Sequence, residues 1–181
     1  MSEKKDFCFA VYQAFKSKNQ KTLRKLNKKI LNKAVLSSTK DYFDLAVYSY
    51  VLSKILSKNH FLSKEYSNWF EAIEIDLIGL TESADSSIKI WNSAISSLRK
   101  TISSLEEEDS RYIMSNIKKG ELKSAATLYA QGLSLGLSSQ VTGIEKQEIL
   151  EYAGKTMMFD RMEEEMDIFE RLKHARKLVG D

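Results

Sequence analysis

"IKIWNSAISSLRKTISSLEEE", residues 88–108, carries Ile88, Trp91, Ile95, Leu98, Ile102 and Leu105 at alternating steps of three and four. That period lays a continuous apolar stripe along one side of an α-helix, whereas a strand would need a period of two. The stretch therefore predicts one long helix whose stripe is a seam for a close neighbour. The neighbour is either an antiparallel helix of the same chain or a second copy forming a homodimer, and three heptads do not choose between them.

Working outward from this helix, the composition is that of rods joined by short connections. The 181 residues include no proline and only seven glycines, the two residue types least compatible with a helix interior. Hydrophobic residues make up 43% of the chain, yet no apolar run approaches the ~18 residues that cross a bilayer, so no membrane partner is expected. The run from Phe7 to Tyr12 stops at Gln13, too early for a secretory segment, and reads as an amphipathic helix of a cytoplasmic protein.

Apolar spacing predicts further helices over 5–16 (Phe7, Val11, Phe15 inward), 20–33 (Leu23, Leu26, Ile30, Leu31) and 40–57, with Thr39 as N-cap. The third is apolar on more than one side and is expected at the centre of the N-terminal half. A fourth runs over 63–78, and "GLTESADSS", residues 79–87, is the candidate boundary. A sixth starts at a Ser110 cap and carries Ile117, Ala126, Tyr129, Leu133, Leu137 and Val141, with Gly120 as a possible break; a last helix spans 157–178. The expected fold is all-α, a two-lobed bundle of about seven or eight helices. Residues 1–80 form a basic lobe, and residues 83–181 form a lobe holding the seam and a C-terminal helix-turn-helix-like corner.

Charge is distributed unevenly. Residues 1–60 hold 13 Lys+Arg against 4 Asp+Glu, and residues 61–181 hold 15 against 21. A basic end suggests an anionic partner, nucleic acid or an acidic protein. Its densest part is "KTLRKLNKKILNK", where Lys21, Arg24, Lys25, Lys28, Lys29 and Lys33 surround a narrow apolar stripe. Such a face can follow a phosphate backbone, with Lys16 and Lys18 extending it, but it has no interleaved aromatic to stack on bases.

The corner is "GLSLGLSSQVTGIEKQEILEYAGKT", residues 132–156. With Gly143 at a turn, Ser139 falls where two helices pack, and Ile149 and Tyr152 fall at buried positions of the second helix. This stretch resembles the helix-turn-helix element of regulators and small antitoxins, and more loosely a group of uncharacterised archaeal helical proteins; no activity comes with the resemblance. It departs from the pattern at Ser138, where an apolar anchor is usual, and at Glu145, where a capping Ser or Thr is usual. Lys146 and Gln147 are the residues a groove-reading helix would offer, but Glu145, Glu148 and Glu151 oppose an approach to phosphates. The structural alternative is a sharp corner that docks the last helix. On that reading Gly132 and Gly136 let another backbone approach, and Gly143 and Gly154 stop helices.

Other chemistry is sparse. Cys8 is the only cysteine, and His60 and His174 belong to no metal-ligand spacing. Glu148 and Glu151, followed by Glu164 and Asp167, resemble the paired helix carboxylates of all-α nucleotide pyrophosphohydrolases, which hold magnesium over a triphosphate. The same E-x-x-E spacing also occurs at Glu71/Glu74 and Glu145/Glu148. The residues thus favour a non-enzymatic cytoplasmic binding or adaptor protein without a cofactor. A homo-oligomeric scaffold and a magnesium-dependent pyrophosphohydrolase stand as alternatives.

Overall fold

The computed structural model describes residues 2–108 and 113–161. Among these there are eight α-helices and no strand: α1 (Glu3–Lys16), α2 (Gln20–Ser37), α3 (Lys40–Ile55), α4 (Ser67–Ser83), α5 (Ile88–Glu108), α6 (Ile113–Ala130), α7 (Leu135–Thr142) and α8 (Lys146–Lys155). Short 3-10 turns cover Asn59–Leu62, Lys64–Tyr66 and Phe159–Arg161.

Several starts follow from capping side chains. Ser2 accepts from the Lys5 amide, Asn19 from Thr22 at 3.0 Å, and Ser134 from Leu137 at 3.2 Å. Each satisfies an amide that the first turn leaves unpaired, a contribution of about 1 kcal/mol. Thr39 stands at the start of α3 as expected but makes no capping bond; its hydroxyl lies 3.1 Å from that of Ser37. The helix expected from residue 63 starts later, because two 3-10 turns precede α4.

The central helix is α3, buried on most of its circumference and lying between α2 and α6. Asn27 of α2 donates to the Ala46 carbonyl at 2.8 Å, and the buried Ser49 hydroxyl donates to the Leu23 carbonyl at 3.0 Å. These bonds fix the rotation of α2 and so decide which of its side chains face out. On the other side, Gly120 lets α6 approach α3: a Cβ there would stand 3.1 Å from Tyr50 Cδ1. Gly120 therefore lies inside an unbroken helix as a close-contact residue.

The flank of α1, α4 and α5 is joined through aromatics. Phe15 stacks on Phe70 with centroids 5.2 Å apart, and Trp69 Nε1 donates to the Thr101 carbonyl at 2.6 Å. The seam of α5 is closed within the chain. Trp91, Leu98 and Ile102 are fully buried, Ile95 is half-buried, and Lys4 of α1 places its ammonium 4.5 Å over the Trp91 ring. Those three buried residues offer no surface to a second copy; Ile88, 59% exposed, is the seam residue left outside, and the Leu105 side chain lies outside the described set.

Residues 79–87 do not interrupt the apolar interior. Helix α4 continues through Gly79 to Ser83, Leu80 and Ala84 are buried, and one apolar cluster extends from Cys8 to Ile149. The expected sixth helix is two helices, because Gly132 adopts φ +106° and ends α6. Gly136 lies inside α7 and Gly154 inside α8, and a Cβ at either would meet nothing within 4 Å. Close approach thus belongs to Gly120, and helix termination to Gly132 and Gly143. Among the described residues, three other left-handed positions are filled by Lys18, Ser38 and Met157, at some cost in backbone strain.

Among the described residues, no helix is long and apolar enough to cross a membrane. The chain turns at Met157 after α8, and Phe159–Arg161 is a 3-10 turn. The helix expected over 157–178 otherwise lies outside the described residues, as do Ser110, Glu164 and Asp167.

Candidate functional site

With Leu23, Ile30, Leu31 and Ala34 turned inward, α2 presents Lys21, Arg24, Lys25, Lys28 and Lys29 to solvent. Offsets of three, four, seven and eight place these five on one helical face. No Asp or Glu occurs anywhere in α2. From Lys21 to Lys29 the cations extend over about 12 Å of helix axis. Lys33, expected on the same face, is half-buried and paired with Glu3 of α1, whose carboxylate holds the Lys33 ammonium above its ordinary value. Lys16 and Lys18 are exposed nearby, Lys16 at 3.2 Å from the Tyr12 hydroxyl and Lys18 over the Phe70 ring at 5.3 Å.

The corner is formed by α7, Gly143 at φ +73°, and α8. Ile149 and Ala153 anchor α8, which rests on α6 and α7. Ser138 fills the position of the usual apolar anchor: it is fully buried, and its hydroxyl has no hydrogen-bond partner among the described residues. Ser139 and Tyr152 are half-buried. Lys146, Gln147, Leu150 and Glu151 point outward, but Gln147 donates to Glu151 at 3.3 Å, so its amide is engaged along the helix. Glu148 lies 3.5 Å from Lys118 and Glu151 lies 3.8 Å from Lys155. This face carries mixed charge, in contrast to the uniformly basic α2. No cluster of three or more His, Cys, Asp or Glu able to hold a metal occurs among the described residues.

A cleft of about 410 Å³ opens where α3, α5, α6 and the corner meet, lined in part by Lys40, Asp44, Tyr48, Arg99, Glu121 and Ile144. No sequence motif signals it, because its residues are scattered along the chain. Lys40 donates to both oxygens of Asp44 at 2.8 and 3.0 Å, and Arg99 donates to Glu121 at 3.1 Å. The Arg99–Glu121 pair ties α5 to α6, the Lys40–Asp44 pair lies within α3, and each of these charges already faces an opposite one. Burial pushes the Tyr48 hydroxyl up to about 12, so it stays protonated at neutral pH.

Comparison with protein-family models, curated proteins and solved structures finds no match to this chain.

One pH effect follows from the cleft. Burial raises the Asp44 carboxyl above its ordinary 3.8, and the Lys40 bonds only partly offset this. The folded state thus holds the Asp44 proton more tightly than the unfolded chain. Its contribution is complete below the ordinary value and is lost as pH rises through the raised one. Asp44→Asn is expected to gain stability relative to the parent as pH rises from about 4 to 7. Denaturant unfolding across that range checks it, and a difference that is flat or runs the other way contradicts it.

Proposed function

We propose that the chain is a non-enzymatic cytoplasmic binding protein that holds nucleic acid by its phosphate backbone through the outer face of α2. The observation behind this reading is the set of five exposed cations on a helix without a single acidic residue, fixed in rotation by Asn27 and Ser49. Duplex DNA carries one charge per ~1.7 Å of axis, so a 12 Å row of cations lies against roughly seven phosphate charges. Binding of this kind is salt-dependent and indifferent to sequence, because phosphate contacts position a protein and base contacts specify a site. The absence of any aromatic from α2 fits a backbone contact better than a base-stacking one. The mixed-charge face of α8 lends less support to groove reading through Lys146 and Gln147.

The test is fluorescence anisotropy with a labelled duplex and a labelled RNA at low salt. Reversing Lys25, Lys28 and Lys29 to Glu is expected to weaken binding by at least ~100-fold, since three phosphate contacts become repulsions. Because these side chains are exposed, circular dichroism should be unchanged. Absence of binding by the unaltered protein, or equal binding by the reversed one, would remove the proposal.

A further inference from the structure

Helices α4 and α5 run antiparallel. Trp69 bonds to Thr101, and seven residues further on Ser97 donates to Asp76 at 2.7 Å. Continuing this register brings Ser83 beside Lys89. Between these points a groove of about 500 Å³ runs along the outside of the pair, floored by small residues including Gly79, Ser83, Ala94 and Ser97. A Cβ at Gly79 would meet nothing within 4 Å, so the floor is open. An isoleucine stands at each end: Ile75 on α4 beside the Ser97 end, 69% exposed, and Ile90 on α5 beside the Ser83 end, 54% exposed. Each end also carries one charge, Asp76 at the first and Lys89 at the second.

This arrangement is complementary to itself. A twofold axis through the middle of the groove exchanges its two ends, so that Ile75 of one protomer meets Ile90 of the other, and Asp76 of one meets Lys89 of the other. Among the described residues Asp76 receives hydroxyl donors, from Ser97 and Thr101, and a carboxylate with about four acceptor sites can take an ammonium as well. Two large apolar side chains at the rim of a shallow trough are what a protein partner covers. Among possible occupants, the end-for-end match of both apolar and charged groups favours a second copy.

We infer that the α4–α5 groove is the contact of a twofold homodimer, with Ile75 packed on Ile90 and Asp76 paired with Lys89 across the axis. The surface is separate from α2, so the dimer and the nucleic-acid reading stand or fall independently. It is also a different face of α5 from the buried seam.

Sedimentation equilibrium from low to high micromolar protein is expected to show the mass rising from 20.7 kDa toward twice that value. Ile75→Glu with Ile90→Glu is expected to hold the chain at single mass with an unchanged far-ultraviolet spectrum, because neither side chain is buried. Register is tested by oxidising a mixture of Ile75→Cys and Ile90→Cys proteins: the cross-link is expected between the unlike chains and not between like ones. The native thiol, Cys8, is buried and pushed up to about 12, so it does not compete. A mass that stays at 20.7 kDa at all concentrations, a doubly substituted protein that still dimerises, or cross-links between like cysteines would each overturn the inference.

Discussion

Leu98→Asp is expected to unfold the chain. Leu98 is fully buried in the α5 stripe among side chains of its own molecule, alongside Trp91 and Ile102. Truncating a buried leucine costs about 2–5 kcal/mol, and leaving an unpaired carboxylate in its place adds several more. The sum is comparable to the whole stability of an ordinary domain, about 5–15 kcal/mol. Circular dichroism should therefore show lost helicity or a cooperative melt far below that of the parent. A well-folded variant whose mass is merely halved would contradict the account, since that is the behaviour of a seam shared with a second copy.

Ile149→Ala is expected to loosen the corner by about 2–4 kcal/mol. Ile149 is the fully buried anchor of α8, whereas Gln147, two residues earlier, is exposed and hydrogen-bonded along its own helix to Glu151. In a protein of this length the loss corresponds to a melting temperature lower by about 4–16 °C, while Gln147→Ala should stay within about 0.5 kcal/mol of the parent. Thermal melts of the two variants make the comparison, and equal effects would mean that α8 is not docked through Ile149.

The contrast between these residues also shows what the sequence made legible. Apolar spacing located α1, α2, α3 and α5 and most of their inward residues, because a stripe that must be buried leaves a period in the sequence. A glycine's role leaves no such period. Gly132 and Gly120 carry the same side chain, but one ends a helix at positive φ and the other admits Tyr50 from α3, a difference set by a neighbour some seventy residues away. Lys18 and Ser38 occupy left-handed turns that no local signal marks. In the candidate interface, the cations of α2 were visible as a run. The withdrawal of Lys33 was not, because its partner Glu3 belongs to another helix. The cleft around Asp44 was hidden for the same reason, being assembled from residues on α3, α5, α6 and the corner.

The central claim, that the outer face of α2 neutralises phosphates, is tested most directly by the salt dependence of duplex binding. With five cations engaged and a slope of about −0.9 per phosphate, log affinity plotted against log salt should fall with a slope near −4 to −5, roughly 100-fold between 50 and 150 mM. The protein carrying Glu at 25, 28 and 29 should show a much shallower line. No binding at the lowest salt, or a slope that the reversals leave unmoved, would contradict the account.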